Sequence, residues 1–161
     1  MHATIRRVTS HDVAAVVDLS LLAWAPVFAS FRHVLGSNIY AIVYPDWQAQ
    51  QREVVMKACA EGADTVVWVA DVDGTVAGFI AYNLQHGTKT GVVDLLAVHP
   101  VYQNRGIGTS LNTFALARMK ASGMVLADLH TGGDPGHAPA RRAYEKAGYT
   151  AFPLVHYYKD L

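Results

Sequence analysis

Apolar residues recur at helical spacing early in the chain, where Val13, Val16, Val17, Leu21, Trp24 and Phe28 fall on one face. Thr9 and Asp12 stand three apart just ahead of them, a capping-box pair that would satisfy free N–H groups at a helix start. Residues 3–8 read as a short strand, and the helix after them is expected to run to about Ala25, where Pro26 disturbs it. From Phe28 to Tyr44 the chain is aromatic but irregular, with Gly36, Ser37 and Asn38 as turn formers. This stretch suits either a loop or short helices covering a cleft, or loose packing on the core. A second helix is predicted from near Asp46, with Trp47, Gln51, Val54, Val55 and Ala58 on one face, ending at Gly62. Cys59 then reads as a packing residue.

The pattern next changes to strands. Thr65 to Asp71 and Thr75 to Leu84 are rich in β-branched and aromatic residues, and Asp73-Gly74 between them is a strong hairpin signal. Gly91 to Val98 is a third strand. A polar segment, Pro100 to Arg105, leads to a helix from about Gly108 to Ser122 and a strand from Met124 to His130. A Gly/Pro-rich loop, Thr131 to Pro139, precedes a short helix, Ala140 to Ala147, stopped by Gly148. Thr150 to Lys159 alternates enough for one or two terminal strands, with Pro153 at their edge. Helices alternating with strands around a central hairpin predict an α/β fold in the α+β style, with a mixed sheet and helices on its faces.

Composition narrows this. The chain has 161 residues, 52% hydrophobic and 16% charged, which suits one globular domain over residues 1–161. Arg6-Arg7 followed by Val13 to Ala29 superficially resembles a secretory signal, but Asp12 and Asp18 interrupt it, and no run of about 18 consecutive apolar residues predicts a membrane span. Thirteen basic and thirteen acidic residues leave no net charge, so neither a nucleic-acid surface nor a polybasic membrane anchor is expected. A single cysteine excludes an intramolecular disulfide and fits a reducing compartment, with the cytoplasm as the default.

The chemistry concentrates in residues 92–111. A strand enters a turn, and the turn enters a helix through Gly106-Ile107-Gly108. Glycines there let the backbone curl around an anion, while the free N–H groups and positive dipole end of the helix point at it. A dinucleotide fingerprint needs a third glycine where Leu111 stands and must begin directly after the strand, whereas seven residues separate Val98 from Gly106. A nucleoside-triphosphate loop fails too, for want of Gly-Lys-Ser/Thr.

The segment resembles the acyl-CoA-binding core of the GNAT superfamily of N-acetyltransferases through Gln103-x-x-Gly106-x-Gly108 after a strand ending in Val98-His99-Pro100. Downstream, His137-x-x-Ala140-x-x-x-Tyr144-x-x-x-Gly148-Tyr149 is similar to that family's second motif. The resemblance covers residues 65–149 well and 1–64 in layout only. It implies a sheet of about six to seven strands with about four helices, and acetyl-CoA lodged between the strands Gly91–Val98 and Met124–His130.

By the same resemblance, backbone groups of Leu96, Ala97 and Val98 would hold the pantetheine arm and polarise the thioester. Gln103, Asn104, Arg105, Gly106, Ile107, Gly108 and Thr109 would hold the pyrophosphate. Tyr144 matches the tyrosine that assists the departing thiolate. Two positions depart from the pattern: the usual glutamate aligns with Val92, leaving Asp94 as the candidate base, and His137 replaces an asparagine that contacts the cofactor. Arg141 and Arg142 are candidates for assisting the phosphates. Phe28, His33, Tyr40, Tyr82 and Asp128 are candidates for the acceptor site.

Asp128, His130, Asp134 and His137 lie close in sequence, but no metal-ligand spacing is present, so no metal is expected. The implied reaction is acetyl transfer to a primary amine on a small molecule by direct attack in a ternary complex. A protein lysine or α-amine acceptor, and a non-catalytic acyl-CoA sensor, are the alternatives. A homodimer using the strands around Tyr157 and Tyr158 is a further expectation from the resemblance.

Overall fold

The computed structural model describes residues 3–161. Five strands form one sheet in chain order: β1 (Thr4–Arg7), β2 (Val66–Val72), β3 (Thr75–Gln85), β4 (Thr90–Val98) and β5 (Leu126–Leu129). The first three pairings are antiparallel and β4–β5 is parallel, so the sheet is mixed. Among the described residues, four α-helices, α1 (Val13–Val43), α2 (Trp47–Ala58), α3 (Ile107–Ala121) and α4 (Ala138–Lys146), accompany the sheet.

The capping box forms: the Thr9 N–H and hydroxyl both donate to Asp12, at 2.8 and 2.7 Å. Arg6 on β1 then clamps Asp12 and, across the β1–β2 pair, Asp71, which fastens the helix start to the sheet edge.

The first helix does not stop at Ala25. It continues through Pro26, whose ring lies on an exposed side, and the aromatic stretch 28–44 is helical rather than irregular. Its actual break is Gly36, at φ 74° and ψ 165°, a backbone state that glycine adopts without a Cβ penalty. The helical stretch Ser10–Val43 reaches a mean hydropathy of 1.8 over its most apolar 18 residues, enough by length and composition to cross a membrane. The expectation of no span rested on uninterrupted apolar runs, which this helix lacks. Here Val16, Val17 and Leu19 are buried against the sheet with Phe79, Ala81, Leu95 and Ala97.

The opposite face of the sheet is covered by α3, through Ile107, Leu111, Ala115 and Met119 against Ile80, Tyr82 and Val93. Two glycines admit this close approach. A Cβ on Gly78 would stand 2.9 Å from the Ala97 carbonyl, and one on Gly91 would meet the Met119 side chain.

Along β4 the simple alternation of faces fails once. Ala81 pairs with Leu95 and Tyr82 with Val93, so Asp94 is an extra residue with no partner on β3. Such a bulge rotates the strand by one position. Val93 therefore faces α3, while Leu95, two residues later, faces α1.

The sheet has fewer strands than the six to seven expected. Thr150–Leu161 makes no strand pairing, and its apolar side chains are exposed, Phe152 at 84% and Tyr157 at 85%. Period-two alternation marks a segment able to pair, but pairing needs an edge brought alongside, and Pro153 offers no N–H to one.

Candidate active site

Parallel pairing between β4 and β5 ends at Val93 opposite Leu129. Beyond that point the two strands diverge, and β4 keeps pairing only with β3, through Gly78 and Val98. A cavity of about 550 Å³ occupies the opening, lined by Asp94 to Val98, by Leu129 to Thr131, by the first turns of α3 and by α4. Ala23, Trp24, Pro26 and Val27 of α1 close its remaining side. Backbone groups of β4 that would have bonded a neighbouring strand face this opening instead, as an edge that an extended ligand can join.

The turn between β4 and α3 is held by one backbone and one side-chain hydrogen bond. His99 donates its backbone N–H to the Ala77 carbonyl at 2.9 Å, and Gln103 Nε2 donates to the Val98 carbonyl at 3.1 Å. Gln103 thus fixes the loop with its side chain. Asn104 at φ 60° and Gly106 at φ 81° adopt left-handed backbone, and Gly106 starts α3. The helix ladder begins with Ser110 N–H to the Gly106 carbonyl, which leaves the preceding N–H groups of Ile107, Gly108 and Thr109 free of helical partners beside the cavity. They give a 15-residue helix a start whose free donors and dipole suit an anion.

On the far wall stands Tyr144. Burial, with a smaller contribution from Tyr149, pushes its hydroxyl up to about 12, so it remains a proton-bearing donor at any working pH. The Tyr149 hydroxyl donates to Oδ1 of Asn112, a buried α3 residue that also lines the cavity.

A short helical turn, Pro135–His137, leads into α4. Asp134 accepts from the Gly136 N–H at 2.9 Å, and Gly136 also donates to Ser30 Oγ of α1 at 3.0 Å. Burial works against the Asp134 anion, but hydrogen bonds from Ser30 and His137 outweigh it and hold the carboxyl below its ordinary value. Its Oδ1 lies 2.5 Å from His137 Nδ1. Arg141 donates to the carbonyls of Gly132 and Asp134, at 2.5 and 2.8 Å.

The cleft thus gathers Asp94, Leu96, Ala97, Val98, Gln103, Asn104, Gly106, Ile107, Gly108, Thr109, His137 and Tyr144. Arg105 stands outside its lining, with its guanidinium 5.8 Å from the Tyr102 ring centre. Asp94 is exposed and accepts from Asn83 Nδ2 at 2.9 Å.

The acceptor-site candidates are scattered. Tyr82 is buried under α3, its oxygen accepting from Trp68 Nε1, because the regular alternation of β3 places it with Ile80 on the α3 face. Asp128 pairs alongside Val92, and His33 is exposed on α1. Neither lines the cavity. Phe28 and Tyr40 join Phe31, Tyr44 and Trp47 in an aromatic cluster, in which Phe28 stacks on Trp47 at 4.3 Å and Phe31 lies 5.5 Å from the His137 ring. Among the described residues, no three His, Cys, Asp or Glu side chains come together as a metal-ligand set.

Sequence reasoning missed Asn112 and Ser30. Asn112 follows Gly108 by four residues on one helix face, a signal that was available. Ser30 is brought to the Pro135–His137 turn by tertiary packing alone, with no local pattern to announce it.

A sheet split between two parallel strands, facing an anion-binding helix start and a buried tyrosine, defines the acyl-CoA transferase class of architecture. The sequence model of the acetyltransferase (GNAT) family matches residues 35–149, and the chain belongs to that family, an acyltransferase by class.

Solved structures agree on the fold. The PaiA N-acetyltransferase of Thermoplasma acidophilum, in complex with coenzyme A, is similar at 18% identity and a TM-score of 0.75, over 96% of this chain and 94% of that one. The ribosomal-protein-S18-alanine N-acetyltransferase of Escherichia coli gives 17%, 0.65, and 91% and 77%. The enzyme AAC(6')-Iy, bound to the bisubstrate analogue CoA-S-monomethyl-acetylneamine, gives 15%, 0.65, and 100% and 99%. No curated relative matches the chain.

Proposed function

We propose that this protein transfers the acetyl group of acetyl-CoA to a primary amine on a small molecule, by direct attack in a ternary complex. The observation that carries the reading is the divergence of β4 from β5 directly before the free N–H groups of α3. The residues present fit the cofactor: an open strand edge suits the pantetheine amides, and the α3 start suits a pyrophosphate.

Gly106, Gly108 and Thr109 would cradle the phosphates. The backbone N–H groups of Leu96 to Val98 bear on the thioester, and one such donor on the developing oxyanion is worth about 3 kcal/mol. Tyr144 donates its O–H to the departing thiolate. A hydroxyl of pKa about 12 is a weaker acid than a thiol at about 8.5. Hydrogen bonding, rather than complete proton transfer, is its contribution.

An amine of pKa about 10.4 is neutral in roughly one molecule in 2,500 at pH 7, an equilibrium cost near 4.6 kcal/mol. Asp94 presents a carboxylate at the mouth of the cleft, suited to receiving the ammonium group. The aromatic cluster on α1 and α2 is filled by its own rings, and that closed form favours a small acceptor over a peptide.

The test is release of free CoA from acetyl-CoA with polyamines, aminoglycosides, amino acids, arylamines and lysine peptides. Turnover with one of the small amines supports the reading. Turnover with peptides alone moves the acceptor to proteins, and a thermal shift with acetyl-CoA but no turnover leaves a binding domain.

A further inference from the structure

We propose that His137 is the catalytic base that takes the proton from the acceptor amine, with Asp134 as the residue that positions it. This rests on the acetyl transfer above and adds the destination of the proton.

The geometry is that of an oriented imidazole. Nδ1 of His137 lies 2.5 Å from Asp134 Oδ1, and the two side chains are only 15% and 8% exposed. A carboxylate at Nδ1 places the ring proton there and leaves the lone pair on Nε2, as an acid beside a catalytic histidine does in hydrolases. His137 lines the cavity that also holds Tyr144 and Asp94.

The dyad is locked from several sides. Asp134 is tied to Gly136 and, through Ser30, to α1. Phe31 of α1 lies against the His137 ring. Gly132 lies directly beneath, where a Cβ would collide with both Asp134 Oδ1 and His137 Nδ1. The charged and titratable groups around the pair include Arg141 of α4, bonded to the Asp134 carbonyl, Tyr44 at the end of α1, itself hydrogen-bonded to Tyr158, and, across the cavity that His137 lines, His130 just after β5, Asp94 of β4 and Tyr144 of α4. Asp94 is less suited to this step, being exposed and engaged by Asn83.

The ammonium gives one proton to Nε2, which passes it to water. The nitrogen lone pair forms the C–N bond while the carbonyl π pair moves to oxygen. Collapse breaks the C–S bond, with the pair leaving on sulfur. The second nitrogen proton is then shed, and the thiolate, bonded to Tyr144, is protonated from solvent to free CoA.

The experiment compares two probes, an alkylamine that is charged at pH 7 and an arylamine that is neutral there, in wild type, His137→Asn and His137→Gln. The expected result is a loss of about 10²- to 10³-fold in kcat with the alkylamine, with an unchanged KM for acetyl-CoA and little loss with the arylamine. The acid limb of the alkylamine pH profile should disappear, and Gly132→Ala and Asp134→Asn should move it. Equal losses on both amines, or a raised KM for acetyl-CoA alone, would overturn the proposal in favour of a structural or cofactor-contacting role. If wild type acetylates neither amine, the small-amine acceptor fails separately for these two amine classes. Nitrogen-15 NMR of His137 then decides the dyad, since an Nε2–H tautomer at pH 7 overturns it and an Nδ1–H tautomer supports it.

Discussion

Tyr149 and Asn112 join across the far end of the cleft, the tyrosine hydroxyl donating to the amide oxygen at 3.2 Å. The bond ties the segment after α4 to a side chain of α3 that is only 3% exposed. Tyr149→Phe leaves that buried oxygen without its donor and should cost about 1–2 kcal/mol. Urea unfolding would show a lower midpoint at an unchanged slope.

Tyr144→Phe separates chemistry from binding. It should lower kcat by about 10²-fold, with little change in acetyl-CoA affinity by calorimetry. Burial raises this hydroxyl to about 12, above an unfolded tyrosine at about 10. The unfolded chain therefore ionises first, so the contribution of Tyr144 to stability is whole below pH 10 and declines as the pH rises towards 12. Alkaline unfolding of Tyr144→Phe should be correspondingly shallower.

The two glycines at the start of α3 should respond differently. Gly106 has a φ of 81°, so Gly106→Ala strains the backbone by about 1–2 kcal/mol. A Cβ on Gly108 would meet only Val98 Cγ2, at 3.4 Å, an ordinary contact. Gly108→Ala should keep its melting temperature yet raise the KM for acetyl-CoA, since in the proposed binding mode the added methyl would border the phosphates.

Acid should loosen the joint between β1 and α1. Two hydrogen bonds from Arg6, at 2.7 and 2.9 Å, lead the effects that hold the Asp12 carboxyl well below the ordinary range. Because the unfolded state takes up this proton first, the stabilisation is complete above about pH 4 and is lost as the pH falls below it. Asp12→Ala removes the cap and the ion pair together and should cost about 2 kcal/mol. The loss should shrink on acidification, as chemical unfolding at pH 7 and pH 3 would show.

Local signals survived into the structure where local forces set the outcome. Thr9 and Asp12 form the capping box they spell, and Asp73-Gly74, both at positive φ, make the hairpin turn. The glycine turn into α3 was legible for the same reason. Pro26 misled because a proline forfeits one helix bond, and burial of Val16, Val17 and Leu19 anchors the helix regardless. The Asp94 bulge left no trace, since one inserted residue inside an apolar strand alters no composition or period. The pairing of Asp134 with His137 was hidden in a loop whose shape depends on α1, more than a hundred residues earlier.

That bulge gives β4 a parity. Before Asp94 the odd-numbered Gly91 and Val93 face α3, and after it the even-numbered Leu96 and Val98 do. Deleting Asp94 alone would close the bulge and leave Val93 facing α3 and Leu95 and Ala97 facing α1, because the pairs Tyr82–Val93 and Ala81–Leu95 would then simply follow one another. The bulge is thus a slack residue in β4: one residue can be lost there without moving either core, whereas a second loss would carry one end of the strand onto the wrong face.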